Sequence, residues 1–178
     1  MRIAFMGTHG IGKTTASSIL RDEMVRAGMK DIHVLPSSTR SVLEWGELPP
    51  GSFELACIFE RRRLMLTSPA QHIVSERWAY DEYVYGSDIT EYNWALLQEM
   101  KWEIENYWDV VYFLPYVERR IEDDGVRPLD RDYQKKIADL MELNLIYLQK
   151  SNKLKVIPNN SLEQVSAYLK EEVEKWKS

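Results

Sequence analysis

Cysteine is almost missing from this sequence. Cys57 is the single one, so no disulfide and no cysteine-built metal site can form within one chain, a usage that suits the cytosol. Histidine is nearly as scarce: His9, His33 and His72 are scattered and lack metal-ligand spacing. No apolar run approaches the ~18 residues of a membrane span. Positive charge is also short, with 23 Lys and Arg against 28 Asp and Glu. The resulting net charge of −5 argues against broad, nonspecific nucleic-acid binding while leaving room for a local basic groove. Internal repeats and low-complexity tracts are absent. What remains is ordinary for a soluble globular protein: 44% hydrophobic and 29% charged residues in a 178-residue chain. A single domain over 1–178, cytoplasmic and without a membrane segment, is the expectation.

The most informative stretch is Gly7-Thr8-His9-Gly10-Ile11-Gly12-Lys13-Thr14, which fits G-x-x-x-x-G-K-[ST], the Walker A phosphate loop. Glycine usage is about 7%, so a chance match in a chain of this length is on the order of one in a few hundred. Context narrows the odds further. Arg2 to Met6 is a short, mostly apolar run suited to a central parallel strand. Thr14 to Ala27 reads as a helix with Ala16, Ile19, Leu20 and Met24 on one stripe and Gly28 as its stop. The glycines let backbone wrap a phosphate, and the free N–H groups of the helix start point at the anion. Lys13 then neutralises phosphate oxygens of ATP and the Thr14 hydroxyl ligates Mg2+. The nucleotide is assigned to Gly7, His9, Gly10, Ile11, Gly12, Lys13, Thr14 and Thr15, although a variable loop position is the better reading of His9. A motif beginning six residues after Met1 predicts no secretory leader.

Strand and helix signals alternate beyond this point. Strands are expected at 31–35, 71–77, 110–114 and 154–157. A short helix is expected from Ser37, and longer ones over 53–66, from Asp88 to about Tyr107, from Asp130 to Lys150, and after Ser161. In the helix over 53–66 the apolar side is read as Leu55, Ala56, Phe59, Arg63 and Leu66; in the last helix it is Leu162, Val165, Leu169, Val173 and Trp176. Alternation of this kind implies a doubly wound parallel α/β sheet with ligands at the carboxyl ends of its strands. Glu76-Arg77 closes the 71–77 strand. A carboxylate there can organise Mg2+ or take a proton from an attacking hydroxyl, and the arginine can hold substrate; a plain charged strand end is the alternative.

The segment Ser75-Glu76-Arg77-Trp78-Ala79-Tyr80-Asp81-Glu82-Tyr83 resembles the (D/E)-R-x-x-x-D segment of thymidylate kinases, deoxynucleoside kinases and the ribosylnicotinamide-kinase-like P-loop group. Phe113-Leu114-Pro115 followed by Glu122 to Asp130 is similar to the part after the fourth strand in the last of these groups, which has many phage members. The resemblance implies a three-layer P-loop fold, five parallel strands in the order 2-3-1-4-5, and a lid at about 116–131. It implies a catalytic set of Lys13, Glu76, Arg77 and Arg127, with Arg119, Arg120 and Arg131 also on the lid and Thr14 and Glu76 serving the metal. Arg40, Arg63, Arg77, Trp78 and Asp81 fall on the acceptor side. Of the run Arg61-Arg62-Arg63, only one or two can point inward on a helix, and Arg63 is expected to.

The expected activity is transfer of the ATP γ-phosphoryl group to a nucleoside monophosphate, favoured by the spare cations Arg40, Arg63 and Arg77, or to a nucleoside, by a possible homodimer. A kinase acting on a modified base in DNA is a second reading, disfavoured by the negative charge. A regulatory NTPase is a third, but the D-x-x-G and N-K-x-D patterns of a GTPase are missing.

Overall fold

The computed structural model describes residues 1–49, 52–87, 93–118, 130–148 and 151–176. Its strands are β1 (Arg2–Met6), β2 (Ile32–Leu35), β3 (His72–Ser75), β4 (Val110–Phe113) and β5 (Leu154–Val156). They form one sheet in the order β2-β3-β1-β4-β5, with every pairing parallel. The helices are α1 (Lys13–Arg26), α2 (Thr39–Leu43), α3 (Phe53–Thr67), α4 (Ala79–Tyr85), α5 (Asn93–Asn106), α6 (Arg131–Asn144) and α7 (Leu162–Lys175), with a 3-10 turn at Leu145–Tyr147. No helix among the described residues is long and apolar enough to cross a membrane.

β1 sits at the centre and is buried on both faces, which the alternation of its side chains makes possible. Ile3 and Phe5 join Leu20 and Met24 of α1 and Val165, Leu169 and Val173 of α7 in one apolar layer. Ala4 and Met6 join residues of α3, α4, α5 and α6 in the other. The result is a three-layer sandwich. Helix ends follow the local chemistry: the Asp130 carboxylate accepts from Asp132 and Tyr133 N–H, and the Ser161 hydroxyl accepts from Gln164 N–H. At the end of α1 the Gly28 N–H bonds Val25 O and the Met29 N–H bonds Met24 O, the paired bonds of a Schellman stop with Gly28 at φ +89°.

Four expectations need correction. α3 buries Cys57, Ile58, Arg61 and Met65, whereas Phe59 and Leu66 are 59% and 70% exposed. The inward arginine is therefore Arg61, not Arg63: the Arg63 side chain is 59% exposed and pairs with Glu60 one turn back. Arg61 faces inward because it finds two carboxylates there, Glu82 at 2.9 Å and Glu103 at 3.2 Å. Glu103 also accepts the Ala79 amide (3.1 Å) and the Trp108 indole N–H (3.2 Å), so one buried polar cluster joins α3, α4 and α5. α4 itself was not anticipated. α6 stops at Asn144, short of Lys150, and Leu162 on α7 is exposed rather than buried.

Two stability measurements test this description. A Cβ on Gly28 would meet no atom within 4 Å, so Gly28→Ala is expected to cost only the backbone term. That is about 1 kcal/mol, or a melting temperature lower by about 2–4 °C in a chain of this size. Arg61→Ala leaves Glu82 and Glu103 buried without their cation and is expected to cost about 3–5 kcal/mol in urea denaturation.

Candidate active site

The Walker loop leaves the carboxyl end of β1 and opens α1, and its shape is set by close approach. Gly7, at φ +147°, lies against the chain after β4: a Cβ there would sit 2.8 Å from Leu114 O and 3.1 Å from the Ile11 side chain. Gly12 caps α1 in the left-handed region at φ +99°. Between them the loop is held by distant side chains. The Lys13 ammonium, only 8% exposed, turns back to donate to Gly7 O and, at 2.8 Å, to Thr8 O. The Gln134 amide donates to His9 O at 2.6 Å, and the Thr8 hydroxyl donates to Gln134 O at 3.3 Å. Asn159 donates to Ile11 O (3.5 Å) and Pro115 O (3.1 Å), bringing the segment after β5 to the same place. The Tyr85 hydroxyl accepts the His9 amide at 2.9 Å. With its carbonyls engaged from outside, the loop and the first turn of α1 can offer N–H groups to an anion. The Ile11 side chain is in the core, so only its backbone can face a ligand.

Glu76 stands just past β3, and its Oε2 accepts the Thr14 hydroxyl proton at 3.0 Å. No group of three or more acidic, histidine or cysteine side chains among the described residues could hold a metal by itself. One hydroxyl and one carboxylate in contact at the mouth of the loop do fit Mg2+ of the kind that arrives with phosphate oxygens and keeps several waters.

Beyond Glu76 the chain turns sharply, with the Ser75 hydroxyl donating to Arg77 O at 2.5 Å, and enters α4. The Trp78 amide donates to the Asp81 carboxylate at 3.4 Å. Asp81 is fully buried, its Oδ1 3.8 Å from the Lys13 ammonium. Burial raises its carboxyl above the usual range, against the opposing pull of Lys13 and Arg77. Burial likewise pushes Glu82 up to about 7, with Arg61 opposing and Asp81 adding to the rise. Asp81 is thus placed as the counter-charge of Lys13 rather than on an open acceptor surface. Trp78 is sealed in the core and stacked on Tyr80, with ring centroids 5.8 Å apart, so it does not face the crevice. Arg77 lies over the Tyr85 ring at 5.2 Å.

The remaining expected residues are spread out. Arg40 is exposed on the short helix α2, and Thr14 and Thr15 are exposed on α1. Arg63 is turned to the surface as described. Arg131 begins α6 and meets Glu118 at 3.5 Å. Arg119, Arg120 and Arg127 lie outside the described residues, as does most of the expected lid. Gln134 and Asn159 were not expected at the site; Tyr85 belongs to the aromatic set Trp78, Tyr80, Tyr83 and Tyr85, which fits base stacking or, more readily, the core.

A family model described as AAA domain (AAA_28) matches residues 2–164. This chain belongs to the AAA domain family. No curated protein matches it significantly. Solved structures do. NadR protein in complex with NR is similar with a TM-score of 0.72 at 14% identity, over 99% of this chain and 51% of that one. Deoxyadenosine kinase from M. mycoides, with dCMP and a flexible dCDP as products, follows at 0.66 and 13%, over 98% of this chain and 100% of that one. NadR protein in complex with NAD and AMP-PNP gives 0.66 at 12%, over 99% and 49%. At such identities the likeness is one of fold, and the chain spans about half the length of the NadR chains it matches. A five-stranded parallel P-loop sheet is what they share with it.

The loop makes a direct prediction. Lys13→Ala removes the loop's one cation, the ammonium that ties Gly7 O and Thr8 O, so affinity for a fluorescent ATP analogue is expected to fall roughly 10- to 100-fold. Titration of the analogue into both proteins measures it.

Proposed function

We propose that this chain is a kinase that moves the γ-phosphoryl group of Mg-ATP to a hydroxyl of a small nucleoside. The observation that carries the reading is the 3.0 Å contact between Thr14 on the phosphate loop and Glu76 at the end of β3. It joins the donor loop to a carboxylate on the neighbouring strand, the placement that metal organisation or proton removal requires. The ligands named for the fold neighbours, NR and AMP-PNP for NadR and dCMP and dCDP for deoxyadenosine kinase, support the same class.

In this scheme the loop amides and Lys13 hold the donor phosphates. Thr14 and Glu76 would hold Mg2+, which when bound neutralises charge on the phosphate oxygens. The acceptor hydroxyl oxygen forms a bond to the γ-phosphorus as the bond to the β–γ bridging oxygen breaks, ADP leaves, and the hydroxyl proton passes to Glu76 or to solvent. Arg77, with Arg127 and its neighbours Arg119, Arg120 and Arg131 on the lid, stabilises the transferred charge.

A nucleoside is favoured over a monophosphate as acceptor. The spare cations that would suit an acceptor phosphate shrink once burial is known. Arg63 is spent on Glu60 at the surface, and Arg61 is matched by two carboxylates. Asp81 and Glu82 add buried acidic groups beside Arg77. Fewer cations are then left for an acceptor phosphate than the sequence suggested.

The test is an ATP-dependent phosphorylation screen read by mass spectrometry, offering nucleosides, their 5′-monophosphates and a modified-base DNA duplex, with Lys13→Ala as the blank. A gain of about 80 Da, one phosphoryl group, on a free nucleoside is the expected outcome. Labelling of monophosphates alone overturns the acceptor assignment. Labelling of DNA alone, or hydrolysis with no acceptor, overturns the function.

A further inference from the structure

α4 carries two residues that meet the phosphate loop, and they stand one helical turn apart. Asp81 and Tyr85 are related as i and i+4, so both project from the same side of the helix. Asp81 reaches Lys13 at the end of the loop. Tyr85 reaches the near end, where its hydroxyl accepts the His9 amide at 2.9 Å and also lies 2.9 Å from the His9 ring Nδ1. The tyrosine ring is itself fixed, since Arg77 lies over it at 5.2 Å and the His9 ring stands 6.2 Å away. The hydroxyl is therefore delivered to the loop from a packed ring on a helix, not from a mobile side chain.

The geometry points to Tyr85 as a positioning residue for nucleotide binding: its hydroxyl pins the His9 amide and so presets the phosphate loop before ligand arrives. The inference rests on the nucleotide-binding reading of the loop given above. Its physical basis is the cost of ordering. Gly7, Gly10 and Gly12 all stand at positive φ, and a glycine-rich loop has many other conformations to lose when it closes on an anion. The ties from Lys13, Gln134 and Asn159 reach carbonyls of the loop; Tyr85 reaches an amide. Asp81→Asn would disturb Lys13 directly, whereas Tyr85→Phe removes one oxygen and leaves the ring beneath Arg77. It isolates the hydroxyl.

The experiment titrates a methylanthraniloyl-ATP with Mg2+ into the wild-type and Tyr85→Phe proteins, with thermal melts of both and, once the screen supplies an acceptor, steady-state kinetics. Tyr85→Phe is expected to weaken the nucleotide about tenfold, the worth of one hydrogen bond to a buried donor, and to raise the KM for ATP alike. The KM for the acceptor is expected to stay unchanged. In the wild-type protein without nucleotide, the His9 amide is expected to exchange slowly with solvent deuterium. Equal nucleotide affinity in the two proteins, or rapid exchange at His9, overturns the inference. Tighter binding by Tyr85→Phe also overturns it, because the hydroxyl would then be competing with phosphate for the amide. A lowered melting temperature with both KM values raised together marks a merely structural role and overturns it as well. Wild-type protein that binds the analogue but labels no acceptor sinks the kinase reading alone.

Discussion

A loop that offers its N–H groups to an anion cannot also satisfy its own carbonyls, and unmet backbone polar groups in a buried place are expensive. The rest of this structure is arranged around that constraint. Thr8 O and Gly7 O are met by Lys13 from the loop's own helix, His9 O by Gln134 from α6, and Ile11 O by Asn159 beyond β5. The phosphate loop is thereby bound to segments more than a hundred residues later. Placement of β1 between β3 and β4 makes this possible, because parallel strands bring all their following segments to one edge of the sheet. Gly7 beside Leu114 O shows how tightly the edge is drawn together: that contact admits hydrogen and little more.

Signals that are local were readable beforehand, and those that depend on partners far along the chain were not. The Walker loop, β1, α1 with its Gly28 stop, and the Ser161 cap depend on residues within a few positions of one another. The strand order followed from a resemblance, and the sheet has that order. The buried face of α3 was misread because large apolar residues, Phe59 and Leu66, lie on the outward side and drew the stripe, and with it Arg63, toward themselves. Here Arg61 is 2% exposed, paid for by Glu82 and Glu103 from two other helices, so the inward stripe includes an arginine and the outward one includes Phe59 and Leu66. Gln134 and Asn159 carry no pattern at all. Each is a single polar residue whose meaning lies in a carbonyl more than a hundred positions away. α4 escaped notice for a different reason: Trp78 to Tyr85 is rich in aromatics suited equally to strands and to stacking on bases.

The Arg61 cluster is not an efficient way to gain stability, since buried ion pairs commonly do no better than apolar residues of the same size. What such a cluster does restrict is register. Glu103 accepts the first amide of α4 as well as Arg61, and Glu82 on α4 accepts Arg61 in turn, so the helix can slide or rotate only by stranding charge in the core. With Glu82 held toward Arg61, its neighbours Asp81 and Tyr85 are committed to the loop side of the helix. The polar cluster and the phosphate loop are thus two ends of one device, joined through seven residues of α4.

That device also sets the charge balance of the proposed acceptor side. Lys13, Arg61 and Arg77 stand against Asp81, Glu82 and Glu103, three cations and three potential anions, so the buried layer is close to neutral before any substrate enters. Lys13 belongs both to that balance, through Asp81, and to the phosphate loop, through Gly7 O and Thr8 O. Glu82 and Glu103 hold α4 in register while Asp81 faces Lys13 from the same helix, so the buried acids fix both the helix and the loop beside it.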